Sequence, residues 1–231
     1  MEYKQYYRRK LPHIHSPGAV LFVTFRLAGS IPKTVIEKWK QEKIWLEKES
    51  GRIQKLSESE NITNNQKEDL LNFHRRWFAK FEDVLHQEES NIVWLKDEMV
   101  AQIIADSLKY RDGKVYHLKA FCIMSNHVHV VFKPLLDEKS LKEVEGSSPL
   151  KFVSSEPALA EIMQSLKGYT AHEANKILNR SGKFWEEESY DHEVRNEEEL
   201  SRIVKYVLNN PVKAGLVKDW RDWKWNWLRD S

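Results

Sequence analysis

The chain has 231 residues, of which 41% are hydrophobic and 31% are charged, and its formal net charge is +2. This composition is typical of one sizeable soluble domain with an insertion, or of two small ones. No stretch approaches the roughly 18 apolar residues of a membrane span, and the basic start lacks the apolar segment of a secretory signal. The single cysteine, Cys122, excludes an internal disulfide. We therefore expect a cytoplasmic protein without a membrane partner.

The first half of the chain predicts one strand followed by helices. Residues 19–27 are rich in Val and Phe, which is typical of a strand. A helical stretch follows Pro32, and apolar residues at helical spacing predict further helices over about 66–89 and 97–109. We interpret residues of about 40–92 as an inserted helical hairpin.

The second half begins with a predicted hairpin and continues through two helices. The predicted elements are strands at 115–124 and 127–133, helices at about 157–178 and 197–209, and an extended segment at 184–194. Ser125-Asn126 is a turn-prone pair between the two strands, so these strands should pair antiparallel. The intervening residues 135–156 are polar and predict a mobile connection.

Capping signals bound the last helix. Asn196 is its predicted N-cap, Glu199 gives a start that resembles a capping box, and Pro211 is expected to end it. A Trp-rich tail at about 218–231 follows and is expected to pack as a strand or an extended cover. Strands that alternate with helices around a central antiparallel hairpin predict an α+β fold of the ferredoxin-like kind.

Two histidines in the second hairpin strand are candidate metal ligands. His127 and His129 are two residues apart, so a strand would point both imidazoles to one face, about 6.5–7 Å apart along the chain. Val128 and Val130 would then face a core. Two neutral imidazoles can bind a divalent cation if a third ligand comes from elsewhere. Taken alone, however, so short a motif is more often a pair of packed structural histidines.

The last helix presents a phenol and a carboxamide together. Its apolar stripe is predicted to be buried and comprises Leu200, Ile203, Val204, Val207 and Leu208. Tyr206 lies about 120° from the centre of that stripe, and Asn210 follows one turn later on the same, more polar side. A phenol offers a nucleophile, and an amide oxygen is a hard ligand that suits Mg²⁺ or Mn²⁺. Taken alone, a tyrosine near a helix end and an asparagine before proline are ordinary features.

Basic and aromatic residues alternate at the N-terminus. Arg8, Arg9 and Lys10 lie close to three tyrosines, a pattern that suits a phosphate backbone with stacked bases, although a solvated tail explains it as simply. Together with Arg26 in the first strand, these residues are candidate contacts to a DNA backbone.

Three segments in one order resemble a known family. The run FCIMSNHVHVVFKP, from Phe121 to Pro134, resembles the histidine-hydrophobe-histidine strand of HUH single-tyrosine transposases. FWEEESYDHEVRNEEEL, from Phe184, and IVKYVLNNPVKAGLV, from Ile203 to Val217, resemble the C-terminal signature of the REP-associated tyrosine transposases. RRKLPHIHSPGAVLFVTFRL, from Arg8, is similar to the opening strand of that family. One departure is Ser125, which stands where the family commonly has proline.

The resemblance implies a ferredoxin-like or RRM-like antiparallel sheet with flanking helices. It also implies metal-dependent cleavage and rejoining of single-stranded DNA beside hairpins, such as REP-like repeats or element ends, through a 5′-phosphotyrosine intermediate. By the same resemblance His127 and His129 are the paired metal ligands, Asn210 is a polar third ligand, and Tyr206 is the nucleophile. The implied place of action is the bacterial cytoplasm at the nucleoid.

Several alternatives stay open from the sequence. Tyr169 is the alternative nucleophile, because it lies off the apolar stripe of its own helix. The same fold could serve as a nucleic-acid-binding regulatory module without cleavage, or as a hydrolase that uses the two histidines and a water. We interpret residues 1–231 as a single HUH transposase-like domain with the insertion at about 40–92. It would act as a monomer or a homodimer.

Overall fold

The computed structural model describes residues 18–32, 34–37, 80, 82–85, 91–135 and 159–230. It divides the chain into two compact units, one formed by Met1–Ala28 with Val93–Ser231 and the other by Gly29–Ile92. Most of the expected inserted hairpin, the bulk of the helix expected at 66–89 and all but the first residue of the connection expected at 135–156 lie outside the described residues. The insertion therefore stays a prediction.

The first unit contains a five-stranded antiparallel sheet. Its strands are β1 (Val20–Arg26), β2 (Tyr116–Ile123), β3 (His127–Pro134), β4 (Tyr190–Val194) and β5 (Asn226–Leu228). Their order across the sheet is β4-β1-β3-β2-β5. The first four strands have the order of a ferredoxin-like split βαβ sheet, and β5 extends one edge. This confirms the expected α+β fold with an antiparallel sheet.

Among the described residues, four α-helices flank the sheet. They are α1 (Glu98–Tyr110), α2 (Leu159–Ile177), α3 (Glu197–Leu208) and the single turn α4 (Asn210–Lys213). Helix α1 begins where the Asp97 carboxylate accepts hydrogen bonds from the N–H groups of Met99 and Val100, which satisfies two of the otherwise unpaired donors of the first turn. No helix in the described ranges has the length and apolarity that crossing a membrane requires.

One face of the sheet packs against α1 and α2. The hydroxyl of Tyr116 donates to the carbonyl of Leu108 in α1 over 2.8 Å, and the Tyr116 ring stacks on Phe132. The Trp185 ring packs edge-on against Phe25, and its indole N–H donates to Thr170 in α2 over 2.9 Å. Full burial of an apolar side chain such as Phe25 or Phe132 stabilises a fold by about 1.5–3 kcal/mol. This face therefore forms the main core.

Helix α3 packs on the opposite face. Strand alternation places His127 and His129 there, because Val128 and Val130 face the core. The Tyr206 ring of α3 contacts both the His129 ring and Phe22 of β1. The sheet thus separates a hydrophobic core from a second buried layer that contains the two imidazoles.

The last helix ends where the sequence predicts, and a short helical turn follows it. Helix α3 ends at Leu208, one residue from the expected end and before Pro211, and the separate turn α4 begins at Asn210. Pro211 is tolerated in the first turn of α4. Backbone N–H groups in a first turn have no acceptor within the helix, so proline, which lacks an N–H, loses no hydrogen bond there.

The Trp-rich tail completes the sheet edge. Its strand β5 pairs antiparallel with β2, and the Trp227 ring stacks on Phe121 with 5.9 Å between ring centroids. The indole N–H of Trp223 donates to the carbonyl of Ile123 over 3.0 Å. The tail therefore packs partly as a strand and covers the outer edge of β2.

The second unit has a small core of its own among its described residues. Ile31 and Leu85 are almost fully buried, and Val35, Ile36 and Val84 pack against them. Residues 34–37 are helical, in agreement with the helical stretch expected after Pro32, and residues 82–85 are helical as well.

Candidate active site

The two histidines of β3 lie at the centre of the sheet. Both are buried, with exposed fractions of 1% for His127 and 0% for His129. In the register of the sheet His127 lies opposite Arg26 and His129 lies opposite Thr24, while Cys122 of β2 flanks His129 on its other side. Directly opposed residues in an antiparallel sheet point to the same face, so these side chains share one layer.

A chain of hydrogen-bond distances connects four side chains in this layer. The Oδ1 atom of Asn126 lies 2.6 Å from Nδ1 of His127, and Oγ1 of Thr24 lies 2.8 Å from Nδ1 of His129. The Nε2 atoms of His127 and His129 lie 3.0 Å apart. Both imidazoles are therefore held at Nδ1, and their Nε2 atoms converge on one point.

This convergence fits a divalent cation. Two ligand atoms at right angles, each about 2.1 Å from an ion, are separated by about 3.0 Å. The separation of the two Nε2 atoms matches that spacing. Metal-binding histidines commonly use their other ring nitrogen for a hydrogen bond to a carbonyl or similar group, as both do in this protein. The donor set thus suits a metal that binds through Nε2 of each histidine.

Tyr206 meets the histidine pair from α3. Its ring centroid lies 5.8 Å from that of His129 and 6.1 Å from that of Phe22, and both contacts are edge-on. Tyr206 is half-buried, so its ring packs in the interior without complete enclosure. The fold therefore brings a phenol to a buried imidazole pair from a position far along the chain.

Asn210 lies one helical turn after Tyr206. Its side chain is fully buried, which places it on the inner side of α4. The nearby end of α3 is tied to the sheet by Asn226 of β5, whose Nδ2 donates to the carbonyls of Leu208 and Trp220 over 2.9 and 2.8 Å. The expected role of Asn210 as a third metal ligand stays a prediction.

The structure describes one of the four candidate DNA-contact residues, Arg26. Arg8, Arg9 and Lys10 lie outside the described residues. Arg26 is 8% exposed, shares a face with His127, and pairs with Glu186 at 3.7 Å. Burial lowers the pKa of its guanidinium, and the Glu186 carboxylate opposes that shift. In this arrangement Arg26 is engaged with a carboxylate and is not presented at the surface.

The alternative nucleophile lies elsewhere. Tyr169 is 53% exposed on α2, and α2 covers the core face of the sheet through the contacts of Thr170 and Trp185. The histidine pair faces the opposite side. Of the two candidate tyrosines, the fold therefore brings Tyr206 to His129 and leaves Tyr169 on the far layer.

A comparison with curated proteins finds a relative with a similar sequence. Over 107 residues the chain is 25% identical to a Haemophilus influenzae protein whose name provisionally describes it as a REP-associated tyrosine transposase. The chain is therefore similar in sequence to a protein that is named as a REP-associated tyrosine transposase. The matched region covers 46% of this chain and 56% of the Haemophilus influenzae protein, so it spans little more than half of that relative. The resemblance inferred from the sequence motifs is thereby confirmed.

The chain was also compared with protein-family models and with solved structures. No protein-family model matches the chain. A solved structure, described as a REP-associated tyrosine transposase bound to a REP hairpin, aligns with a TM-score of 0.46 and 14% sequence identity. The alignment covers 96% of this chain and 81% of that one.

A carboxylate and a histidine anchor the start of the tyrosine helix. Asn196 caps α3 by accepting from the Glu199 N–H over 2.8 Å. Glu199 in turn accepts from the Arg195 N–H over 2.9 Å and lies 3.1 Å from Nε2 of His192 in β4. This differs from a regular capping box, because the glutamate binds the residue before the cap. The start of α3 is thus fixed to the neighbouring strand.

The anchor predicts a pH-dependent contribution to stability. Burial acts to raise the pKa of the Glu199 carboxyl, but hydrogen bonds from Arg195 and His192 outweigh it and hold this pKa below its usual value. A carboxyl whose pKa is lower in the folded state than in the unfolded state stabilises the fold at any pH above its unfolded-state pKa. This stabilisation is lost as the pH falls through the folded-state pKa. Glu199→Gln should therefore melt a few degrees below the wild type at pH 7.

Thermal melts between pH 7 and pH 3 test this prediction. The difference in melting temperature between the wild type and Glu199→Gln should shrink on acidification, because protonation removes the same charge from the wild type. Glu198→Gln, an exposed neighbour in the same first turn of α3, is the matched control. A difference that stays constant over the whole pH range would contradict the assignment.

Three residues of this layer were not identified from the sequence. Thr24 was a polar residue within an apolar strand, Asn126 was interpreted only as a turn residue, and Asn226 was one residue of the Trp-rich tail. The interrupted apolar pattern of β1 was the available signal for Thr24. Its pairing with His129 becomes visible only in the register of β1 and β3.

Proposed function

We propose that the chain is a metal-dependent single-stranded DNA endonuclease and strand transferase, a transposase, that acts beside DNA hairpins. The observation that carries this proposal is the approach of the Tyr206 ring to His129, with 5.8 Å between ring centroids. The second support is the kinship with the REP-associated tyrosine transposases. A nucleophile beside a candidate metal site is the combination that a strand-transferring nuclease needs.

His127 and His129 are the proposed metal ligands, with Asn210 as the proposed third. Imidazole and amide ligands are compatible with Mn²⁺, and amide oxygen also suits Mg²⁺. When bound, the ion would offset the negative charge that develops on the scissile phosphate. The protein's part is to hold both Nε2 atoms in place, and the Nδ1 hydrogen bonds of the two rings serve that purpose.

Tyr206 is the proposed nucleophile. Its phenol oxygen attacks the phosphorus, forms a new oxygen–phosphorus bond, and expels the 3′ oxygen of the preceding nucleotide, which leaves as a hydroxyl. The product is a 5′-phosphotyrosine on the downstream fragment. Because this phosphodiester keeps the energy of the broken bond, a 3′-hydroxyl can later attack it and rejoin a strand without ATP. A free phenol has a pKa of about 10 and is ionised in roughly one molecule in a thousand at pH 7, so attack requires a proton acceptor or a nearby cation.

The proposed substrate is single-stranded DNA with hairpins, such as REP-like repeats or element ends. Arg8, Arg9 and Lys10 are the proposed backbone contacts, and Arg26 would join them if a phosphate replaced the Glu186 carboxylate. Because Tyr206 reaches His129 of its own chain, we propose that one chain completes the active site in a monomer or in each half of a homodimer. The proposed place of action is the bacterial nucleoid in the cytoplasm.

A denaturing gel tests the proposed activity. Hairpin oligonucleotides with randomised single-stranded flanks, labelled at the 5′ or the 3′ end, are incubated with the full chain and Mn²⁺. We expect a denaturant-stable adduct that carries the 3′ label and a released 5′-labelled fragment with a free 3′-hydroxyl. Cleavage without an adduct would support the hydrolase that uses only the histidines and water. Binding without cleavage would support the regulatory module.

A further inference from the structure

Each histidine of the pair has a different kind of partner at Nδ1. His127 meets the amide oxygen of Asn126 at 2.6 Å, and His129 meets the hydroxyl of Thr24 at 2.8 Å. Asn126 is 0% exposed and Thr24 is 1% exposed, so both bonds are shielded from water. Buried hydrogen bonds of this kind fix side-chain orientation strongly, because losing a partner inside the protein is costly.

The chemistry of these two partners determines where the protons lie. An amide oxygen only accepts, so Nδ1 of His127 must carry a proton and its Nε2 must carry a lone pair. A threonine hydroxyl can donate or accept, so His129 is compatible with either neutral tautomer. Two lone pairs that face each other at 3.0 Å repel, and the contact between the Nε2 atoms needs either one proton or one cation between them.

We propose that Asn126 and Thr24 are positioning residues of the histidine pair and that their tasks differ. Asn126 fixes His127 with its Nε2 lone pair exposed to the site whether or not a metal is bound. Thr24 allows His129 to change tautomer when the metal binds. The inference rests on the proposed metal site and deepens it.

The tautomer change is balanced in protons. Without metal, the Thr24 hydroxyl donates to Nδ1 of His129, and the Nε2–H of His129 donates to Nε2 of His127. When the metal binds, His129 gives the Nε2 proton to water and takes one proton from water at Nδ1. The Thr24 hydroxyl keeps its own proton and rotates, so that its oxygen accepts from the new Nδ1–H. One proton leaves His129 at Nε2 and one arrives at Nδ1, so the tautomer change takes up and releases no net proton.

Loss of either partner should weaken metal binding. Thr24→Val keeps the branched shape in β1 and removes the hydroxyl, so we expect the affinity for Mn²⁺ to fall by about 10–100-fold. Thr24→Ser keeps the hydroxyl and should stay within about threefold of the wild type. Asn126→Ala should lower the affinity for Mn²⁺ as Thr24→Val does. Asn126→Asp keeps an acceptor oxygen at this position, so its affinity for Mn²⁺ should stay close to that of the wild type.

Two measurements on the full chain test these roles without using activity. Isothermal titration with Mn²⁺ gives the affinities, and thermal melts of each variant show that it is folded. Nitrogen-15 NMR of the histidine rings, before and after addition of Zn²⁺ as a diamagnetic probe, gives the tautomers. We expect His127 to be protonated at Nδ1 in both states, and His129 to change from Nε2–H to Nδ1–H.

The outcomes separate this inference from the proposed function. A metal-free His127 protonated at Nε2, or a Thr24→Val variant that binds Mn²⁺ as the wild type does, would overturn the positioning roles and leave the metal site standing. A wild-type chain that binds neither ion would overturn the metal site itself. A chain that binds metal as expected but forms no DNA adduct would retain this inference and refute the nuclease.

Discussion

Replacement of Tyr206 by phenylalanine should abolish the covalent DNA adduct and lower strand cleavage on the order of 10³-fold or more. The variant lacks the phenol oxygen that forms the new bond, and no substitute lies at the same position. The phenylalanine ring keeps the edge-on contacts with His129 and Phe22, so the fold and the metal site should persist. Single-turnover cleavage of the labelled hairpin oligonucleotides measures the loss.

Tyr169→Phe is the matched control for this experiment. It makes the same chemical change on α2, where the side chain is exposed and lies on the other layer. Its cleavage rate and adduct yield should equal those of the wild type. If Tyr206→Phe still cleaved at the wild-type rate, Tyr206 would not be the nucleophile, and loss of the adduct in Tyr169→Phe would move that role to α2.

Removal of either histidine should disable the proposed metal centre. His129→Ala deletes one of two converging Nε2 atoms. Loss of a hydrogen bond that supports a ligand lowers metal affinity by up to about 100-fold, and loss of the ligand itself should lower the affinity for Mn²⁺ further. His127→Ala should have the same effect. Metal-dependent cleavage should fall with the affinity, and excess Mn²⁺ should recover only part of it.

His117→Ala is the control for the histidine variants. His117 lies on β2 of the same sheet, but it is exposed. Its removal should leave both the Mn²⁺ affinity and the cleavage rate unchanged. Wild-type affinity in both His127→Ala and His129→Ala would show that the pair is a structural element of the sheet, as the bare motif most often is.

The sheet and its helices were readable from the sequence because their patterns are local. Alternation over 127–133 predicted a strand with histidines on one face and valines on the other, and β3 has that arrangement. Periodicity over 97–109 and 157–178 predicted α1 and α2 to within two residues at each end. Such patterns follow from burial on one side of an element, which the chain encodes directly.

The packing of α3 was predicted only in part. Val207 and Leu208 are buried as expected, but Leu200, Ile203 and Val204 of the same apolar stripe are only half-buried. The buried residues of α3 and α4 also include Glu199 and Asn210. The reason is that α3 packs on the histidine layer, a surface with its own polar groups, and hydrogen-bonded polar side chains can be buried there.

The supports of the histidine pair needed tertiary information. Thr24 is 105 residues from His129 in the chain, and only the register between β1 and β3 places the two side chains together. The orientation of the Asn126 amide toward Nδ1 of His127 depends on the geometry of the turn. Spacing rules describe one element at a time and carry no register between distant elements.

Peptide mapping of the trapped adduct is the most direct test of the central claim that Tyr206 links to DNA. The wild-type chain is reacted with a hairpin oligonucleotide and Mn²⁺, the DNA is trimmed by nuclease, and tryptic peptides are analysed by mass spectrometry. We predict a 5′-linked nucleotide on the peptide YVLNNPVK, which begins at Tyr206. A nucleotide on GYTAHEANK, which contains Tyr169, or on any other peptide, would contradict it.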